Sequence, residues 1–522
     1  MIRQSSKLLS LVASCLYTTD AFVPQPRHSV TFVETTDRQV QTRLHIGDFL
    51  QNVFGGFGDV GEETTCDLCV VGGGVSGLAS ALAFQDASSA NDMDVVLLEG
   101  SPTLGGRVQS DVTPDGFTLD RGFAVFIEEY PYAKKLLDYD ALKLSKFEPG
   151  ALVFTGTEGE LFKVADPIRR PLDLFVALTA PVGDFADKIR VLPLLLHVFT
   201  TSIDDLFAEE ETDTLTCLKE RYGFSDAFIS EFMQPFLEGI YLAPLNEQSS
   251  RMFHFVFKMF SEGSACLPLE GMGAISAQMA EKCKSAGIDI RTSCAVKSIE
   301  SVTDKGIVLN TVGGKVRAQR VVIATEGNVA QELISTLPEF TSLKNEESQT
   351  QRSVGCLYYS FDSDVPVSEP ILILNGASRD PEMSPVNNIC FPSVVSSKYT
   401  PKGSNVCSVT ILKPAMDYYD GRVDDLDAAV RKQLTSWFPS EFSDDILNKW
   451  ELKGSYDIKN AQPAQFNGPT PANVNGGRGT TFFRDQPLPK GVFVCGDHMA
   501  TATLNGALES GVNAGEAAAS VA

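Results

Sequence analysis

The sequence predicts an α/β fold: a Rossmann-like nucleotide-binding domain interrupted by an inserted α+β domain. Three observations carry this. An unbroken apolar strand, Leu68 to Val71, runs into Gly72-x-Gly74-x-x-Gly77 and then into a helix of small apolar residues. A second apolar run, "DVVLLEG", ends in the acid Glu99, roughly 20 residues beyond Gly77. Close to the end, "VFVCGDHMATATLNGALESGVNAGEAAASVA" reads as a strand, a Gly496-Asp497 turn, a small-residue loop and a helix, the βα unit that finishes such a sheet. With 522 residues, 43% hydrophobic and 21% charged, the chain can bury two cores or more.

In chain order, Arg3 and Lys7 precede a short apolar stretch, Leu8 to Tyr17, and small residues up to Ala21. This fits a secretory-type signal and is too short to span a bilayer; a buried helix end is the alternative. The following "FVPQPRHSVTFVETTDRQVQTRL" is rich in Ser, Thr, Gln and Arg, as transit peptides are. Residues 1–45 therefore read as a removable presequence and 46–65 as a linker. The junction "TTDAFVPQP" resembles the Ala-Phe-x-Pro junction of bipartite plastid presequences in algae with secondary red plastids, which implies a plastid (chloroplast) destination.

A net charge of −24 argues against nucleic acid as the main partner, because phosphate binding needs clustered Lys and Arg. Eleven Cys at irregular spacing fit a reducing compartment. Cys66 and Cys69 are the only close pair. They lie in a strand, where positions i and i+3 face opposite sides, so they read as apolar fillers rather than a redox or zinc pair. Of five His, two fall in the presequence, and no metal site is expected.

The first glycine loop suits a pyrophosphate. Its glycines allow a tight turn, close backbone approach and tight helix packing, and the helix N-terminus at Ser76 favours negative charge. Glu99 is placed to hold ribose hydroxyls. Directly after it, "LEGSPTLGGRVQSDVTPDGFTLDRGFAVF" carries Gly105-Gly106-Arg107 and then Asp120-x-Gly122. This arrangement resembles the FAD signature of the superfamily of flavin amine oxidases, protoporphyrinogen oxidases and phytoene desaturases. The resemblance implies a GR2-type FAD-binding domain, with Gly105, Gly106 and Arg107 packed against the flavin's phosphates and ribityl chain. Two glycines and a planar cationic donor suit that task.

The same resemblance covers most of residues 66–522. "LPLEGMGAISAQMAEKCKSAGIDIRTSCAVKSIE" matches the family's loop, helix and strand, with Val296 at the position whose backbone meets adenine. "GGKVRAQRVVIATEG" matches a returning strand whose small end residue, Ala324 or Thr325, passes the nucleotide. In the closing stretch, Gly496 and Asp497 match the turn that holds a ribityl hydroxyl. Asn505, Gly506 and Ala507 match the loop leading into a helix aimed at the flavin ring, where a helix N-terminus stabilises developing negative charge. The FAD-binding domain is thus expected over 66–124, 264–334 and 481–522, and the substrate domain over 125–263 and 335–480.

The inserts say less. The run Val191 to Phe199 reads as a buried helix or as an apolar surface that touches a membrane. "SSRMFHFVFKMFSEG" reads as a core helix or as a wall of an apolar tunnel. His254 in it is a core histidine or a proton shuttle, and Lys258 a paired or snorkelling lysine. "QRSVGCLYYSFDS" lines up with the strand that bears a lysine in flavin amine oxidases. It places Gly355 there, which counts against amine oxidation. "SYDIKNAQPAQFNGP" resembles the loop before the last flavin strand, with Ala461-x-Pro463 in place. The resemblance implies an FAD-dependent oxidoreductase that moves a hydride to flavin N5, with oxygen or a quinone, not decided between, as acceptor; the Phe- and Met-rich helix, the missing lysine and the plastid destination point to a small apolar, isoprenoid- or tetrapyrrole-like substrate, and the apolar run to a peripheral membrane contact. Amine oxidation, non-redox isomerisation on reduced flavin, and a non-catalytic FAD-binding role stay open. No catalytic residue is assigned.

Overall fold

Strand β1 (Thr64–Val71) forms from the predicted apolar run, and helix α1 (Val75–Ala87) follows the glycine loop without a break. The structure is a computed structural model and describes residues 30–31, 63–87, 93–122, 125–165, 180–345, 350–438, 449–470 and 488–521. The expected presequence and linker therefore lie almost wholly outside the described residues.

Strand β2 (Val95–Leu98) pairs parallel with β1, and the hairpin β3 (Ser110–Val112) and β4 (Thr118–Asp120) follows. After the first insert, α5 (Gly273–Ser285) leads to β7 (Asp289–Arg291), β8 (Val296–Thr303), β9 (Gly306–Thr311) and β10 (Gly314–Ile323). The last strand, β16 (Val492–Val494), adds parallel to β10, and α7 (Leu504–Ser520) closes the chain. One sheet results, ordered β7-β2-β1-β10-β9-β8, with β16 also on β10. Its parallel part puts the C-terminal ends of β1, β2, β10 and β16 side by side, where the loops of an open α/β sheet bind ligands.

Small residues set how closely the layers meet. A Cβ on Gly511 would lie 2.2 Å from the Ser76 carbonyl oxygen, and one on Gly515 2.3 Å from that of Ser80. Helices α1 and α7 therefore touch along a seam that larger side chains would force apart. This seam ties the first and last segments of the domain together.

The inserted part has a second sheet. Its strands are β5 (Gly150–Phe154), β6 (Leu161–Ala165), β11 (Gln351–Phe361), β12 (Leu372–Asn375), β13 (Val386–Cys390), β14 (Asn405–Leu412) and β15 (Glu451–Pro463). Their order is β15-β11-β14-β13-β12-β5-β6, with the short segment Val30–Thr31 paired at the outer edge of β15. Helix α6 (Val423–Trp437) covers one face, packing Trp437 on Phe154. Helices α2 (Phe185–Thr200), α3 (Ile203–Ala208) and α4 (Ser250–Glu262) form a helical layer.

Two expectations need correction. Cys66 and Cys69 do not face opposite sides; both are buried in one apolar cluster, and a hydrogen bond to Cys66, then burial, push the Cys69 thiol up. The reason is a local irregularity: the backbone amides of Asp67 and Leu68 both donate to the Asp94 carbonyl, at 2.9 and 3.2 Å, which resets the strand's alternation. Gly355 does not face the nucleotide end either. A Cβ there would lie 2.1 Å from Met416 Sδ on the far side of β11, so the glycine makes room for Met416.

Helix α4 is buried from Ser250 to Phe260, in accord with a core helix. Lys258 donates to the Val198 carbonyl at 3.0 Å and pairs with Glu262 at 2.9 Å. In α2, Val191, Leu194 and Val198 face the core, whereas Phe185, Ile189, Leu196 and Phe199 are exposed.

Candidate functional site

The loop after β1 is shaped by glycine. Gly72 has φ +112, and a Cβ on it would sit 2.7 Å from the Ala324 carbonyl oxygen. A Cβ on Gly77 would fall 2.0 Å from the Gly72 carbonyl oxygen. The two positions lock the turn onto α1 and β10. Gly74 differs: a Cβ there meets nothing within 4 Å, and the residue lines an open cleft. Its missing side chain keeps space for a ligand at the N-terminus of α1.

Glu99 stands at the end of β2. One carboxylate oxygen accepts from the Gly73 amide and the other from the Ser101 amide, each at 2.7 Å. The backbone thereby fixes the carboxylate at the edge of the glycine loop. The Gly105 amide in turn donates to the Gly73 carbonyl at 2.9 Å, so the Gly-Gly-Arg loop lies directly on the first loop. Gly105 (φ +107) is pressed against Ser276, whose hydroxyl donates to the Val108 carbonyl at 2.7 Å.

Arg107 reaches across the cleft and forms a two-point ion pair with Asp497. Burial opposes the charged guanidinium, but the Asp497 carboxylate outweighs it and raises the Arg107 pKa. Beyond Asp497, the Thr503 hydroxyl accepts from the Gly506 amide at 3.1 Å and caps α7. A Cβ on Gly506 would lie 1.9 Å from the Thr501 carbonyl oxygen, so the loop folds back tightly on the helix start. Asn505 Oδ1 accepts from the Tyr132 amide at 2.9 Å.

The cleft has about 1290 Å³ of empty space, counting its open mouth. Of the expected cofactor residues, Gly72, Gly74, Ser76, Glu99, Gly105, Gly106, Arg107, Ala324, Gly496, Asp497 and Ala507 line it. Gly77, Val296, Asn505 and Gly506 do not. Gly77 and Gly506 act inside the turns that shape the cleft. Asn505 is turned to Tyr132, and Val296, at the start of β8, packs half-buried against the apolar cluster on one face of the sheet.

The sequence reading missed other liners: Val125, Tyr130, Met272, Glu326, Gln462 and Leu504. Gln462 donates to the Ala502 carbonyl at 2.8 Å. Gln465 grips the same loop twice, donating to the Ala500 carbonyl and accepting from the Ala502 amide. This clamp lies around the Ala461-x-Pro463 motif, but nothing local marks the glutamines as partners of a loop far along the chain. His498, next to Asp497, is buried, and burial lowers its pKa to about 4.

The residues suit a flavin dinucleotide: two glycine loops open to the cleft, a helix N-terminus for phosphate, a fixed carboxylate for ribose, and a cation–carboxylate pair between them.

The family model for flavin containing amine oxidoreductase matches residues 75–519. Among curated relatives, carotenoid phi-ring synthase of Streptomyces griseus is 25% identical over 288 residues, 52% of this chain and 54% of that protein. Coproporphyrinogen III oxidase of Propionibacterium freudenreichii is 29% identical over 197 residues, 36% of this chain and 34% of that protein. The chain thus spans about half the length of the first and a third of the second. Among solved structures, a protein of Exiguobacterium sp. 255-15 provisionally assigned as a protoporphyrinogen oxidase aligns with TM-score 0.62 at 19% identity, over 88% of this chain and 99% of its own. A putrescine oxidase bound to putrescine aligns with TM-score 0.60 at 15% identity, over 87% of this chain and 99% of its own. At these identities the structural likenesses show the fold.

Proposed function

Because the chain belongs to the flavin-containing amine oxidoreductases and is an FAD-dependent oxidoreductase, we propose that it oxidises a small apolar substrate of the isoprenoid or tetrapyrrole class. The observation that carries this reading is the lining of the cleft. Among the described residues that line it, Arg107 is the one cationic side chain and none is a lysine or histidine; Val125, Tyr130, Met272, Ala461 and Leu504 supply apolar surface. Two relatives are named for a carotenoid and for coproporphyrinogen, which fits the same substrate class.

A bound flavin would supply the hydride acceptor, so the chain's own residues need not include an acid–base pair. Those residues position and insulate. The glycine loops and Glu99 would hold the nucleotide half, and Arg107 and Asp497 the phosphate and ribityl region. The N-terminus of α7, at Leu504 to Ala507, would present its positive dipole end to the flavin. The Gln462 and Gln465 clamp keeps that helix start in register. Oxygen or a quinone would be the acceptor.

The exposed stripe Phe185, Ile189, Leu196 and Phe199 supports a peripheral membrane contact, from which an apolar substrate could partition. Residues 1–45 support a plastid destination, which a fluorescent fusion of that segment tests. The function is tested by mixing holoprotein anaerobically with carotenoids, porphyrinogens and amines while following flavin bleaching. Bleaching by a carotenoid or porphyrinogen, with a product two hydrogens lighter, is expected. Bleaching by amines alone overturns the reading. An isomeric product of unchanged mass moves it to non-redox chemistry.

A further inference from the structure

Outside the cleft, the helical layer gathers two of the three histidines that lie beyond residue 45. His197 sits in the last turn of α2, Glu209 directly follows α3, and His254 sits in α4. His197 Nε2 lies 3.0 Å from one Glu209 oxygen, and His254 Nδ1 lies 3.6 Å from the other. The donor atoms of all three residues fall within 4.8 Å of one another. A tetrahedral zinc with ligands at about 2.0–2.2 Å holds its donors roughly 3.3–3.6 Å apart. The two contacts, at 3.0 and 3.6 Å, are made to different Glu209 oxygens, so binding requires the carboxylate to turn as well as the two histidines to close in.

The surroundings are those of a ligand set. A metal-bound histidine places its second ring nitrogen on a fixed polar partner. Here His254 Nε2 meets the Tyr222 hydroxyl at 2.8 Å, and His197 Nδ1 meets the Thr201 hydroxyl at 3.4 Å. His254 is 1% exposed, and its Nδ1, turned towards Glu209, makes no hydrogen bond. His197 and Glu209 are partly exposed, so an ion can enter from solvent.

We propose that His254 Nδ1, His197 Nε2 and the Glu209 carboxylate bind one zinc ion, with water in the fourth position, tying α2, the end of α3 and α4 together. Arg221 is the competitor. Its guanidinium donates to Glu209 at 2.7 Å and lies 3.0 Å from His197 Nε2. It is 42% exposed and stacks over Tyr222, so it can withdraw from His197 to solvent.

The test uses the full-length holoprotein, stripped with a chelator, dialysed against micromolar zinc, and measured by elemental analysis and thermal melting. One zinc per chain and a raised melting midpoint are expected. His197→Ala and Glu209→Gln should each weaken uptake at least a hundredfold while flavin absorbance is retained, which shows that the fold persists. Arg221→Ala should bind zinc more tightly than the wild type. No uptake by the wild type, or equal uptake by His197→Ala and Glu209→Gln, overturns the proposal. Uptake by Arg221→Ala but not by the wild type also overturns it, because the arginine would then be the site's permanent cation.

Discussion

Arg107 and Asp497, 390 positions apart in the chain, meet as a two-point ion pair that spans the cleft between the Gly-Gly-Arg loop and the turn after β16. Both side chains are largely buried. Removing one leaves the other's charge without its partner in a low-dielectric site. Asp497→Ala is therefore expected to lower FAD affinity at least tenfold, on the scale of about 1.5–3 kcal/mol for a hydrogen bond to a charged group. Flavin retained after gel filtration, and titration of the apoprotein with FAD, measure it. An unchanged FAD affinity in Asp497→Ala would show that the ion pair serves the fold alone.

Two glycines of the first loop should part company on mutation. Gly77→Ala places a methyl 2.0 Å from a backbone oxygen and should destabilise the apoprotein by several kcal/mol, since backbone cannot yield as a side-chain tip can. Gly74→Ala meets no protein atom. It should leave apoprotein melting within about 0.5 kcal/mol of the wild type and still reduce FAD affinity about tenfold. Equal effects on melting would show that Gly74 serves the fold rather than the ligand.

Asp120 couples the two domains. Its carboxylate accepts from Ser110 at 2.5 Å, from the Met272 amide at 2.9 Å and from Tyr399 of the inserted part at 2.6 Å. Burial, opposed by these hydrogen bonds and aided by nearby Asp111, raises its pKa from 3.8 to about 6. Between those values the folded state binds the extra proton. The contribution to stability is full below pH 3.8 and lost as pH rises through about 6, by roughly 3 kcal/mol at 1.36 kcal/mol per unit. The urea-derived stability of the wild type relative to Asp120→Asn should fall by that order between pH 4 and pH 7. A flat difference would refute the shift.

The apolar stripe on α2 gives a test of membrane contact. Burying a large apolar side chain in lipid contributes on the order of 1.5–3 kcal/mol. Leu196→Asp with Phe199→Asp should thus reduce co-sedimentation with phosphatidylcholine vesicles by more than tenfold, with flavin content unchanged. Undiminished sedimentation would remove the stripe from the binding surface.

Much of the site was legible because glycine leaves a mark wherever backbone must come close. Gly72 and Gly74 could be named from their spacing after an apolar strand, Gly105 and Gly106 from the resemblance to the flavin signature, and all four line the cleft. Legibility failed where a local irregularity intervened. The doubled amide contact at Asp67 and Leu68 moved Cys69 onto the same cluster as Cys66, which strict alternation does not anticipate. Gly355 was matched by the letters around it, yet the pleat of β11 turns it to Met416.

By itself the sequence determined the α/β frame, the glycine loops and the acid at the end of β2, because each depends on residues within one turn or one strand of each other. The tertiary structure alone decided the partners: Asp497 for Arg107, Tyr399 for Asp120, Gln462 and Gln465 for the loop before α7, and Glu209 between His197 and His254. These pairings join segments that meet only when helices and sheets pack. Period and spacing report which face of an element is buried, and they carry no record of which distant side chain will lie against it.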